Sequence, residues 1–160
     1  IVICPATEAN LGDGVFDLAG YAAVKGAWSI GSDSHVTRRW SEELRLLEYS
    51  QRLTQRKRNR AAQWLGAESS AAALLEAALR GGHNATGLPV RGIAVGQRAD
   101  FCVLDANAPS LLGMPADHVL DALVFSSPDA RFASVHVGGQ PAALGNDAQF
   151  AQAMHALWGG

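Results

Sequence analysis

Trp28-Ser29-Ile30-Gly31-Ser32-Asp33-Ser34-His35 is the stretch that decides the fold. A short apolar strand delivers a carboxylate at its C-terminal end and runs straight into a polar loop. Where parallel strands alternate with helices, the loops leaving the strand C-termini gather on one face, and that face carries the chemistry. Asp33 is therefore a candidate functional residue. A carboxylate binds a hard or borderline cation such as zinc, and it also takes a proton from water that such an ion acidifies. The plainer alternative is that Asp33 caps the turn that follows it.

Upstream of this segment, Ile1 to Cys4 is a largely β-branched run stopped by Pro5. The residues from Cys4 to Gly14 read as a polar loop leaving that strand on the same side. Glu8 and Asn10 lie there as candidate substrate-facing groups, with an ordinary strand-to-helix turn as the alternative. The spacing of Phe16, Ala19, Ala23 and Val24 predicts a helix over 16–25, ended by Gly26. A second strand is expected over 27–31. Downstream, Ser41 is placed to cap a helix with Glu42 and Glu43 in its first turn. Leu44, Leu47 and Leu53 mark the apolar face of that helix, and the basic run 56–60 suits its C-terminal end. A further helix is expected over 70–80, closed by Gly81-Gly82. This alternation predicts an α/β fold with parallel strands.

The pattern changes after about Leu88. Gly92 and Gly96 flank Ile93-Ala94-Val95, and strands are expected over 100–105 and 132–137. The second strand turns at Gly138-Gly139, with 141–144 as its hairpin partner. Helices are expected over 117–125 and 147–158, the latter carrying Phe150, Met154, Leu157 and Trp158.

The 160 residues fit one compact domain, and the 48% that are hydrophobic suffice for a core. A net charge of -2 gives no reason to expect nucleic acid or an anionic membrane as partner. No apolar run reaches the roughly 20 residues that span a bilayer. Cys4 and Cys102 each sit in an apolar run and read as buried free thiols of a reducing cytosol. With no secretory signal visible, a cytoplasmic protein acting on a small molecule is expected. The chain opens without methionine in an apolar strand, which predicts partner strands upstream. Alone, the chain is expected to aggregate or to form a homodimer.

The five histidines form no H-x-H or H-x-x-x-H pair. His35, beside Asp33, is a candidate substrate contact or support for it. His136 alternates with apolar residues in a strand and reads as structural, and His83, His118 and His155 as surface or packing residues.

In their order, Val2-Ile3-Cys4-Pro5 with Asn10-Leu11-Gly12, then Ile30-Gly31-Ser32-Asp33, then Gly92 to Phe101, resemble the end of an amidohydrolase-superfamily barrel. The stretches 7–14, 31–36 and 42–53 more specifically resemble the formimidoylglutamate deiminase family. The resemblance implies the C-terminal part of a (β/α)8 metal-dependent hydrolase barrel over 1–88. It implies part of a small β-sandwich with a terminal helix over 89–160. The implied reaction is hydrolysis of N-formimino-L-glutamate to N-formyl-L-glutamate and ammonia. Asp33 matches the eighth-strand aspartate, which in this superfamily binds the metal and moves a proton. One divalent metal, zinc in most such enzymes, is implied, with its remaining ligands on strands outside this chain. An amidohydrolase deaminating a heterocyclic ring, or a non-catalytic module, are the alternatives.

Overall fold

The apolar start of the chain forms strand β1 (Val2–Ile3), which pairs in parallel with β2 (Ser29–Ile30) in the register Val2 to Ser29 and Ile3 to Ile30. The Ser29 and Gly31 N–H groups donate to the Ile1 and Ile3 carbonyls, both at 3.0 Å. The computed structural model describes residues 1–87, 92–127, 129–142 and 147–159. The predicted boundary after Leu88 and the end of the predicted hairpin strand at Leu144 lie outside the described residues.

Between the paired strands the expected loop is instead a helix, α1 (Pro5–Leu11). Pro5 occupies the first turn, where its missing N–H costs nothing. The Glu8 carboxylate accepts from the Cys4 N–H at 2.9 Å, in the manner of a capping box. Gly12 closes the helix at φ +77°, its N–H donating to the Glu8 carbonyl. Polar composition concealed these signals. Helix α2 (Leu18–Ala23) begins at Asp17, whose side chain accepts from the Gly20 N–H. It is shorter than the sequence predicts.

Helix α3 (Trp40–Gln55) starts after Arg39, so Ser41 lies inside it and is not its cap. Leu44 and Leu47 are buried as expected, but Leu53 is 81% exposed. The face holding Leu44 and Leu47 carries Glu43, Glu48 and Gln51, and all five residues are buried. The basic run does not extend α3. Arg56 turns left-handed, and Arg60 opens a separate helix, α4 (Arg60–Leu65), that periodicity did not reveal.

Helix α5 (Ser70–Thr86) runs through Gly81-Gly82 and ends at Gly87. A Cβ on Gly81 would lie 1.8 Å from the Trp28 carbonyl oxygen. These glycines therefore let α5 lie directly on β2 and do not end the helix. Ile3, Leu18, Trp28, Leu44, Leu47, Leu74 and Val124 form the core between the strands and these helices.

The second half builds an antiparallel sheet in the order β3 (Phe101–Leu104), β4 (Phe132–Val137), β5 (Gln140–Pro141). Between β3 and β4 lie two 3-10 turns (Pro109–Leu111 and Ala116–His118) and α6 (Val119–Phe125). Helix α6 joins the halves, because Val124 enters the first core while Ala122 and Leu123 enter a second with Ala108, Leu111 and Ala130. Its Asp121 carboxylate accepts from the Ala71 N–H at the start of α5. His136 stacks on Phe101 with ring centroids 4.5 Å apart, a structural placement. Cys102 is exposed and Cys4 partly exposed, both as free thiols, which corrects the expectation of burial. On β3, Cys102 and Val103 are both exposed, and the pairing shifts register between Val103 and Leu104. Helix α7 (Asp147–Trp158) closes the described chain, with Phe150, Leu157 and Trp158 exposed. Among the described residues no helix is long and apolar enough to cross a membrane.

Candidate functional site at the ends of the parallel strands

Because β1 and β2 run in parallel, Cys4 and Asp33 emerge on the same side of the pair. Ser32 to His35 form a tight turn closed by the His35 N–H donating to the Ser32 carbonyl at 2.9 Å. Asp33, inside it, has φ +44°, a left-handed conformation that aspartate tolerates better than most residues. It is exposed, and among the described residues its side chain makes no hydrogen bond or ion pair. Asp33 thus does not cap its own turn and has its oxygens free for another group.

The other candidates lie on α1 and in the same turn. Glu8 is committed to the Cys4 N–H, which makes it first a structural cap of α1. Asn10, on the same helix, is exposed. His35 Nδ1 accepts from the Thr37 N–H at 3.1 Å, which leaves Nε2 as the N–H of the neutral ring. Asp33 and His35 are thus brought to one turn, while Asn10 lies toward the far end of α1.

Two residues outside the sequence-predicted site hold this region. Thr7, buried in α1, donates its hydroxyl to the Ser32 carbonyl at 2.8 Å. Glu43, 2% exposed on α3, accepts from the Ala6 N–H at 2.9 Å. Burial pushes the Glu43 carboxyl up, against the lowering effects of the Ala6 hydrogen bond and nearby His35, while Glu42 and Glu8 add to the rise. The Cys4 thiol is raised too, first by burial and then by the charges of Asp33, Glu8 and Glu43. A thiol so placed stays protonated and makes a poor nucleophile. Sequence alone held only a weak signal for Glu43, an acid one position before the buried Leu44.

Asp33 offers the oxygen chemistry of one metal ligand. Among the described residues no group of three His, Cys, Asp or Glu side chains is placed to hold an ion. A cavity of about 570 Å³ lies elsewhere, between Arg38, Trp40 and the β4 residues Phe132 to Val135.

No family model matches the chain. A formimidoylglutamate deiminase of Pseudomonas aeruginosa is 45% identical over 142 residues, 86% of this chain and 30% of that protein. The structure of an amidohydrolase from Brucella melitensis superimposes with a TM-score of 0.79 at 39% identity, over 98% of this chain and 36% of that one. Over nearly its whole length this chain is similar to one segment of these proteins. An adenosine deaminase from Xanthomonas campestris with bound zinc shares the fold, with a TM-score of 0.73 at 23% identity over 96% of this chain. The chain spans about a third of the length of the amidohydrolases it matches. The correspondence with an amidohydrolase that the sequence predicts is borne out. The α/β class is borne out with it, as parallel strands and helices followed by a small antiparallel sheet.

Proposed function

We propose that the complete protein is a metal-dependent formimidoylglutamate deiminase, with this chain supplying the end of its catalytic barrel. The observation that carries the reading is 45% identity to a formimidoylglutamate deiminase over 142 residues, most of this chain. Residues 1–88 would complete a (β/α)8 barrel, and 89–160 would contribute strands and a terminal helix to a β-sandwich. Asp33 would be this chain's ligand to one divalent cation, zinc by analogy with the deaminase that shares its fold, and the remaining ligands would come from other strands.

A divalent cation, when bound, lowers the pKa of water toward about 7 and so makes a nucleophile available at neutral pH. Asp33 accepts the proton of the attacking water at a carboxylate oxygen. It returns that proton to the departing nitrogen, since ammonia leaves far more readily than an amide anion. His35, within the turn, and Glu8 and Asn10, on α1, would serve as substrate contacts or supports.

Ammonia release from N-formimino-L-glutamate by the complete protein tests the reading. Turnover of this substrate in preference to adenosine or guanine is expected. Preference for a heterocyclic amine would instead place the protein among the ring deaminases.

A further inference from the structure

The Ser32 carbonyl has two lone pairs, and both are used. One accepts the His35 N–H at 2.9 Å from within the turn, and the other accepts the Thr7 hydroxyl at 2.8 Å from α1. Thr7 is 4% exposed, so its bond is not in competition with water. Its helix is itself fixed, because Glu43 holds the Ala6 N–H from α3 and Glu8 closes the first turn. The contact ends on the carbonyl immediately before Asp33, the one residue of this turn with a positive φ. For a non-glycine residue such a conformation costs on the order of 1 kcal/mol and persists where the surroundings hold it.

We infer that Thr7 is a positioning residue for Asp33: its buried hydroxyl fixes the Ser32–Asp33 peptide plane and thereby the direction in which the Asp33 carboxylate leaves β2. The inference rests on the reading of Asp33 as metal ligand and proton acceptor. Thr7 acts through the backbone and touches neither substrate nor ion. Its effect reaches both metal affinity and turnover, because both need the same carboxylate in the same place. Partners that orient a ligand typically contribute 10- to 100-fold to affinity or activity.

The experiment compares Thr7→Val, Thr7→Ser and Asp33→Asn in the complete protein, with zinc affinity read by chelator competition beside kcat and KM. Thr7→Val keeps the shape and removes the hydroxyl. It is expected to weaken zinc binding about 10- to 100-fold and to lower kcat by a similar factor, with KM little changed. Thr7→Ser is expected to restore both. Unchanged zinc affinity in a folded Thr7→Val protein would overturn the inference, and so would a Thr7→Ser protein as impaired as Thr7→Val. If Thr7→Val and Thr7→Ala are both insoluble while Thr7→Ser is normal, the hydroxyl serves folding and the inference is likewise overturned. Asp33→Asn separates the two levels. Normal zinc affinity in that variant removes the underlying reading, whereas loss there with none in Thr7→Val removes only the role of Thr7.

Discussion

Glu43 shows what single residues do beneath the site. Its position in the first turn of α3 reads as a favourable dipole interaction at the surface, yet it is buried and holds the start of α1. Burial raises its pKa from the ordinary 4.5. The folded protein therefore keeps a proton on Glu43 at pH values where the unfolded chain has released it. By linkage, the stability associated with this group is full below the ordinary glutamate value and is lost as pH rises through the raised one. Glu43→Gln keeps an oxygen for the Ala6 N–H and removes the titration. The denaturation midpoint of the parent relative to that variant is expected to fall as pH rises from about 4 toward neutrality, and a relative rise would contradict the assignment. Asp33 was legible because a carboxylate at a strand end needs no distant partner to be noticed. Glu43 and Thr7 were not, because their partners, Ala6 and Ser32, lie 37 and 25 residues away in sequence.

Among the elements, α3 organises the rest through polar groups on an otherwise apolar face. Glu48, fully buried, accepts from the Arg60 and Ala61 N–H groups at the start of α4 and pairs with Arg52 at 2.7 Å. The Gln51 amide donates to the Phe16 carbonyl at 2.7 Å. With Glu43 on α1, one helix thus ties down three neighbouring segments. Leu44 and Leu47 recur at helical spacing and locate α3, although Leu53 is exposed, and the start of α5 at Ser70 agrees with the expected helix. Periodicity missed α4, whose start is held by Glu48, and it misjudged Gly81-Gly82, where tertiary contact governs. Gly81→Ala puts a methyl group into the Trp28 carbonyl. It should destabilise the complete protein by about 3 kcal/mol, the upper part of the range for overpacking. A denaturation midpoint unchanged by Gly81→Ala would show that α5 can move off β2. The alternating β4 was read to the residue, whereas α1 was hidden by its polar composition.

On the scale of the whole molecule, the described surface carries apolar residues that one folded unit would normally cover. Val2 on β1, Leu11 and Val15 beside α1, Leu53 on α3 and Trp158 on α7 are all more than half exposed. A groove of about 460 Å³ between α1 and α3 includes Val15 and Leu53 in its lining. The relatives are about three times as long, and in the proposed enzyme the additional strands would cover this surface. The 160-residue chain by itself is therefore expected to dimerise or aggregate in sedimentation velocity. A monodisperse, cooperatively unfolding monomer would argue for a self-sufficient module.

The central claim concerns Asp33, and the rate of ammonia release from N-formimino-L-glutamate by the complete Asp33→Asn protein tests it most directly. Asparagine keeps the size and cannot take the proton, so a folded variant should lose activity by about 10⁴-fold, within the range that one proton-transfer group supplies. Near-normal turnover by a correctly folded Asp33→Asn protein would contradict the account.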